Sequence, residues 1–285
     1  MWSSPAWRVV AAAVLFSTGG AAIKAGAFSG MQVASLRSGI AALALILWIR
    51  SGARWSWRVL PVAVVYAATL VLFVTSTKLT TAASAIFLQA TAPLLIVVLA
   101  PLLLRERFER SDLLFVAAAA AGLGLCFVGQ PAATATAPEP FTGNLLGAAC
   151  SVTWAFTLLG LRWAERHAPG TALAAVIAGN VLAFASGLPS LFPFPGASPA
   201  AWLTLGYLGV FQIGLAYILL TSAVGHLPAL HISLLLLLEP VLNPIWTWFV
   251  HGENPGMWTL AGGAIVIAAS AAQARFSRRP TSSRN

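Results

Sequence analysis

Charge is what this chain has least of. Asp, Glu, Lys and Arg make up 8% of its 285 residues, against about 25% in a soluble domain, and its mean hydropathy is +0.87. From Ala168 to Leu238 there is no charged side chain at all over 71 residues, room for three bilayer crossings of roughly 20 residues each. A soluble fold is thereby excluded. Cysteine is almost as scarce: Cys126 and Cys150 both fall inside apolar stretches, which excludes a disulfide framework and leaves a packing role. Also missing are H-E-x-x-H, G-x-S-x-G, clustered Asp and a P-loop, so neither hydrolytic chemistry nor ATP-driven pumping has a motif here. His167, His226 and His251 stand at the ends of apolar stretches, and His231 lies eight residues before Glu239. None has metal-ligand spacing, and no metal or cofactor is expected.

What the chain does have is ten apolar stretches, at about 7–27, 31–50, 58–77, 80–104, 112–129, 143–163, 171–192, 199–221, 229–251 and 257–274. Each is long enough to cross a bilayer, and turn-like breaks such as Pro193-Phe194-Pro195-Gly196 and Gly225-His226-Leu227-Pro228 separate them. Pro93 precedes Glu106 by 13 residues in span four, and Pro240 precedes Glu253 by the same 13 in span nine. Two like halves follow, 1–137 and 138–285. Five crossings per half is an odd number, so the second half sits upside down relative to the first. The sequence therefore predicts an all-α integral membrane fold of ten transmembrane helices in two inverted five-helix repeats, the architecture of secondary transporters.

The net charge of +9 does not mark a nucleic-acid partner, because it is dispersed over alternate loops. Thirteen of the sixteen Lys and Arg residues fall on one side of the ten-span arrangement, which the positive-inside rule makes cytoplasmic, with both termini there. Ala25-Gly26-Ala27 looks like a leader cleavage site, but removing the first stretch would break the repeat, so it is read as span one.

Aligning Pro93 with Pro240 places Thr80-Thr81-Ala82-Ala83 on Leu227-Pro228-Ala229-Leu230, an offset of 147; near the start of each half an offset of 138 places Phe16-Ser17 on Trp154-Ala155 and Lys24 on Arg162. Gly214-Leu215-Ala216-Tyr217, Leu238-Glu239-Pro240 and Gly252-Glu253 resemble the C-terminal EamA-type repeat of the drug/metabolite transporter superfamily. Over its whole length the chain is most similar to the YddG-type exporters. That resemblance implies a 5+5 inverted fold, outward transport of aromatic amino acids and a bacterial inner membrane. The chain departs from the family pattern at the close of span four, where Arg105-Glu106 stands for the usual Gly-Glu.

A binding site in lipid shows as polar or aromatic stripes on otherwise apolar helices. Span three carries Tyr66, Thr69, Phe73 and Thr77 at one-face spacing, and span eight carries Tyr207, Phe211, Gly214, Tyr217 and Thr221. Span four adds Thr81, Ala85, Gln89 and Pro93, and span nine adds Glu239, Asn243 and Thr247 with Trp246 beside them. Span six supplies Trp154 and Thr157, and span one supplies Ser17 and Lys24. An aromatic cargo needs rings such as Tyr66, Phe73, Trp154, Tyr217 and Trp246 around it. Its zwitterionic end needs polar partners, here Gln89, Asn243 and Glu239 together with backbone freed beside the prolines. Pro93, Pro101, Pro240 and Pro244 mark the expected hinges.

Each choice has a plainer rival. Trp2, Trp7, Trp48, Trp55, Trp57, Trp163, Trp202 and Trp258 lie near span ends and read as an interfacial belt. Lys24 and Lys78 read as snorkelling to the outer surface, Gln89 has helix-to-helix bonding as its alternative, and Glu239 has a hinge or packing role as readily as proton coupling. Gly143-x-x-x-Gly147, Gly122-x-Gly124 and Gly262-Gly263 fit close crossings within one subunit or between two, so a monomer is compatible and a larger assembly stays open. The expected partners are the bilayer and a small-molecule substrate, with aromatic or other amino acids first. Lipophilic cations or another metabolite are the alternative cargo, an intramembrane enzyme using His231 near Glu239 is the weaker reading, and a membrane scaffold would need no internal polar stripes.

Overall fold

The computed structural model describes residues 4–25, 28–49, 52–106, 110–127, 137–194 and 196–251, with scattered positions between 257 and 272. Every regular element among them is helical, and eight stretches are long and apolar enough to cross a membrane. Span one consists of α1 (Pro5–Ser17) and α2 (Gly19–Lys24), span two of α3 (Gly30–Trp48), and span three of α4 (Val59–Leu79). Span four is broken into α5 (Ala82–Gln89) and α6 (Ala92–Leu104), and α7 (Arg110–Phe127) forms span five. The second half begins with α8 (Pro140–His167) and α9 (Thr171–Gly187). Span eight runs through α10 (Pro199–Tyr207), a π-helical stretch at Leu208–Leu215, and α11 (Ala216–Val224), and span nine is α12 (Ala229–Leu236) followed by α13 (Leu238–His251). Gly252, Glu253, Gly263, Arg275, Arg278, Arg279 and the side chain of Cys126 lie outside the described residues, as do eight of the eighteen positions of span ten.

Local chemistry sets several of these boundaries. Ser29 accepts from the Gln32 N–H while the Gln32 side chain takes the Ser29 N–H, a reciprocal box that starts α3. Thr81 caps α5 and Ser198 caps α10 through their hydroxyls. In spans four and nine the helix breaks at Ala90-Thr91 and at Leu237, matching positions under the 147-residue offset. Each break sits two or three residues before the proline that lacks a donor, Pro93 or Pro240. Pro101 and Pro244 are carried inside α6 and α13 without interrupting them.

The packing obeys the exchange of halves. Span one lies on span eight (α1 on α11) and span six on span three (α8 on α4); span two meets the π-helical part of span eight, and span three meets span seven (α4 on α9). Span four packs on span six and span nine on span one (α5 on α8, α13 on α1), while the pairs two–seven and four–nine map onto themselves. Each half thus finds its principal partners in the other. The Gly143-x-x-x-Gly147 motif belongs to this internal packing: Ser76 Oγ donates to Gly143 O at 2.7 Å, and a methyl group on Gly143 would sit 2.7 Å from the Thr80 backbone nitrogen.

Among the described residues, Arg8, Arg54, Arg58, Arg162 and Arg166 are linked by contact at one end. Arg54 N–H donates to Gly170 O, Arg58 lies 5.0 Å over Trp57 and 5.7 Å over Trp163, and Arg8 reaches Ser222 O. Trp7, Trp48, Trp55, Trp57, Trp202 and Trp258 are exposed on the exterior, where an interfacial belt requires them; Trp163 is tucked against Trp57 and Arg58, and Trp2 lies outside the described residues. Lys24 does more than snorkel: its ammonium donates to Thr80 O at 3.0 Å, the carbonyl that ends α4. Cationic donors suit helix C-termini.

Arg105, in place of the glycine usual in the family pattern, ends α6 in the left-handed region at φ 53°. A side chain there costs about 1–2 kcal/mol relative to the right-handed backbone. Arg105→Gly is expected to raise the thermal stability of the purified protein by about 1 kcal/mol, and a lowered melting temperature would show that the Arg105 side chain outweighs its backbone.

Candidate functional site

The helix breaks of spans four and nine, the middle of span three and the middle of span eight converge on one buried cavity. Phe16, Arg37, Thr69, Leu70, Phe73, Gln89, Trp154, Gln212, Ile213, Tyr217 and Glu239 line it. An adjoining chamber shares Gln89, Trp154 and Glu239 and adds Pro93, Ser233 and Pro240. The free space is about 30 Å³ in the first and 20 Å³ in the second, room for one or two waters apiece.

Six of the predicted stripe residues come together here: Thr69, Phe73, Gln89, Trp154, Tyr217 and Glu239. Gln89 ends α5, where the backbone break turns its amide toward the cavity. Trp154 is 6% exposed on α8 and Glu239 8% exposed at the start of α13, so both look inward rather than outward. Thr69 ties span three to span six through Thr157 at 3.1 Å. The remaining predicted residues serve the walls. Tyr66 is fully buried behind the cavity, its ring edge-on to Tyr217 with centroids 4.8 Å apart and its hydroxyl accepting from Asn180 at 3.1 Å. Asn243 donates to Ser17 O at 2.7 Å, and Trp246 Nε1 donates to Ser17 Oγ at 2.8 Å. Both hold span one instead of lining the cavity. Cys150 is buried with its thiol toward Thr69 O, and His231 lines neither chamber.

Span one needs that support because it is broken between Ser17 and Gly19. The break frees carbonyls that side-chain amides from the other half satisfy: Gln212 donates to Phe16 O, and Asn243 to Ser17 O. A methyl group on Gly19 or Gly20 would run into these same amides. Beyond the break lies a wider recess of about 470 Å³, lined by Thr18, Ala21, Ala22, Ala25, Leu203, Thr204, Tyr207, Trp246 and Val250.

Sequence reasoning missed two of the most telling cavity residues, Arg37 and Gln212. Gln212 is 4% exposed, and it faces inward because Leu208–Leu215 is π-helical. The wider π turn slips the face relative to an α-helical count. Tyr207 and Phe211, expected on the inner stripe of span eight, instead stack on each other at 37% and 46% exposure. Arg37 is the one basic residue in the interior of span two, a signal that the emphasis on loop charges passed over.

At the arginine-rich end the two halves are fastened together. Arg162 pairs with Glu106 through Nε and donates from Nη1 to Val224 O, while Arg166 stands 3.5 Å from the same carboxylate. Glu106 Oε2 also accepts from the Ala229 N–H at 3.0 Å, capping α12. Glu106 belongs to the first half and its partners to the second.

Comparison with family models matches the EamA-like transporter family twice, over residues 4–128 and 141–272. A crystal structure of a protein matches with a TM-score of 0.76 and 23% identity, covering 98% of this chain and 99% of that one. At that identity the likeness concerns the fold. No curated protein matches the sequence.

Proposed function

Because the chain belongs to the EamA-like transporter family, we propose that it is a secondary transporter exporting amino acids, aromatic ones preferred, by alternating access through the central cavity. The observation that carries this reading is the composition of the cavity where the helix breaks of both halves meet. Phe16, Phe73, Trp154 and Tyr217 supply ring and edge contacts, worth about 0.5–1.5 kcal/mol each beyond burial. Gln89 and Glu239 supply acceptors for an ammonium group. The cavity is too small for an aromatic amino acid as it stands, so cargo enters when the helices part at Ala90-Thr91 and Leu237. The halves 1–137 and 138–285 are the bodies that rock, with Pro93 and Pro240 at the hinges and Pro101 and Pro244 shaping the helices beyond them. The arginine-rich end is cytoplasmic by the positive-inside rule, both termini lie there, and the membrane is the bacterial inner membrane.

A second reading keeps the fold and changes the cargo to a lipophilic cation. Glu239 favours it, since its buried carboxylate has no ion-pair partner among the described residues. Uptake of labelled Phe, Trp, Thr and a lipophilic cation into proteoliposomes, with and without a proton gradient, separates the two. Saturable Phe and Trp flux that Gln89→Ala abolishes and Glu239→Gln weakens without abolishing, because the amide oxygen still accepts from the ammonium, is the expected result. Cation flux alone, lost in Glu239→Gln, would replace amino acids with cations as the cargo.

A further inference from the structure

Arg37 is a buried cation with no ion-pair partner among the described residues. It lies in the middle of α3 at 1% exposure, and its surroundings satisfy it poorly. Nη1 reaches Gln212 Oε1 at 3.4 Å, Nη2 reaches Leu70 O at 3.5 Å, and Nε has no partner among the described residues. Charge-assisted N–H···O contacts close at about 2.7–2.9 Å, so both contacts are slack and a five-donor fork is left underused. No carboxylate among the described residues lies within ion-pair distance of it, although Glu239 lines the same cavity and attracts it from farther off; the ion pairs among the described residues are those of Glu106. A guanidinium and a carboxyl group that line one cavity without closing an ion pair leave a place for a molecule carrying both charges.

We infer that Arg37 is the carboxylate-binding residue of the cavity, so that the cargo is selected for a carboxylate group, with Glu239 facing the opposite, ammonium end. The inference rests on the amino-acid reading above and narrows it: an aromatic ring alone, or a ring with only a cation, does not suffice. The guanidinium fork fits a carboxylate in two-point contact. Gln212 positions it, since the π-helical stretch brings its amide oxygen to Nη1 while its amide nitrogen is held by Phe16 O. The slack contacts suit a carrier, because the arginine's donors are free to shorten onto cargo and to let it go.

The test uses the full chain in proteoliposomes and in detergent, with phenylalanine, phenylacetate (which lacks the ammonium) and phenylethylamine (which lacks the carboxylate). In the wild type, phenylacetate is expected to compete with labelled phenylalanine uptake and to raise the melting temperature, whereas phenylethylamine does so about tenfold less effectively. Arg37→Met is expected to lose phenylalanine flux and the phenylacetate shift by about tenfold or more, while melting no lower than the wild type, because an under-solvated charge has been replaced by an apolar chain of similar size. A residue with a merely structural role would lower the melting temperature instead. Arg37→Lys keeps the charge without the fork and is expected to retain a weakened response. Phenylalanine flux that Arg37→Met leaves within twofold of wild type would overturn the anchor while leaving the amino-acid reading in place. Protection by phenylacetate without phenylalanine flux would uphold the anchor and overturn the amino-acid reading. Better competition by phenylethylamine than by phenylacetate in the wild type overturns the anchor whatever the variants do.

Discussion

Gly143→Ala should melt far below the wild type, with a loss of about 3 kcal/mol, the upper part of the usual overpacking range. The reason lies in what the added methyl group would meet. It would stand 2.7 Å from the Thr80 backbone nitrogen and 2.9 Å from the Leu79 carbonyl carbon, atoms that end α4 and cannot rotate away as a side chain does. The same junction carries the Ser76 bond to Gly143 O and the Lys24 bond to Thr80 O, so separating α8 from α4 weakens both. Gly124→Ala is the control: nothing lies within 4 Å of its added carbon, and it should melt with the wild type or slightly above it, since alanine is the better helix former. Equal melting of both variants would show that α8 has slack at this crossing.

Glu106→Gln should cost on the order of 3 kcal/mol. Its side chain is 10% exposed and so is that of Arg162, so neutralising the acid strands a guanidinium with Val224 O as its other acceptor. The α12 N-terminus also loses an anionic cap. Glu106→Gln combined with Arg162→Met should regain much of the loss, because no orphan charge remains. The reading proposed above makes the arginine-rich end cytoplasmic, and a fastening between the halves there is expected to hold that end closed. The single variant should therefore also expose a cysteine placed at Ala229 to a membrane-impermeant maleimide faster than the wild-type background does. Single and double variants that melt alike would mean the pair contributes nothing net.

Much of this fold is legible in the sequence because lipid permits so few solutions: a polar residue inside an apolar helix stands out, and helical spacing says which way it points. Gln89, Trp154 and Glu239 emerge that way, as does Phe73. The spacing argument fails where the backbone leaves the α-helical period. The π-helical stretch hides Gln212 and puts Tyr207 and Phe211 on the wrong face, and no residue type in Leu208–Leu215 announces the change. Arg37 fails for another reason: counting basic residues by the loop they occupy sets aside those, Arg37 among them, that sit inside a span. Asn243 and Trp246 are located correctly on the inner side of span nine, but they support the broken span one, a break that Gly19-Gly20 permits and a hydropathy reading passes through. Glu106 is visible as half of a repeated frame, while its fastening to Arg162 and Ala229 depends on how the two halves meet.

The interlocking of the halves also sets the order in which the protein is finished. Arg8 in the first helix donates to Ser222 O, 214 residues later, and α1 takes its other main neighbours from spans eight and nine. At about 5–20 residues per second, the ribosome delivers those partners roughly 10–40 s after span one has been made. Span one must wait in the bilayer through that interval with its inner face uncovered, a window in which an insertase or chaperone has something to hold.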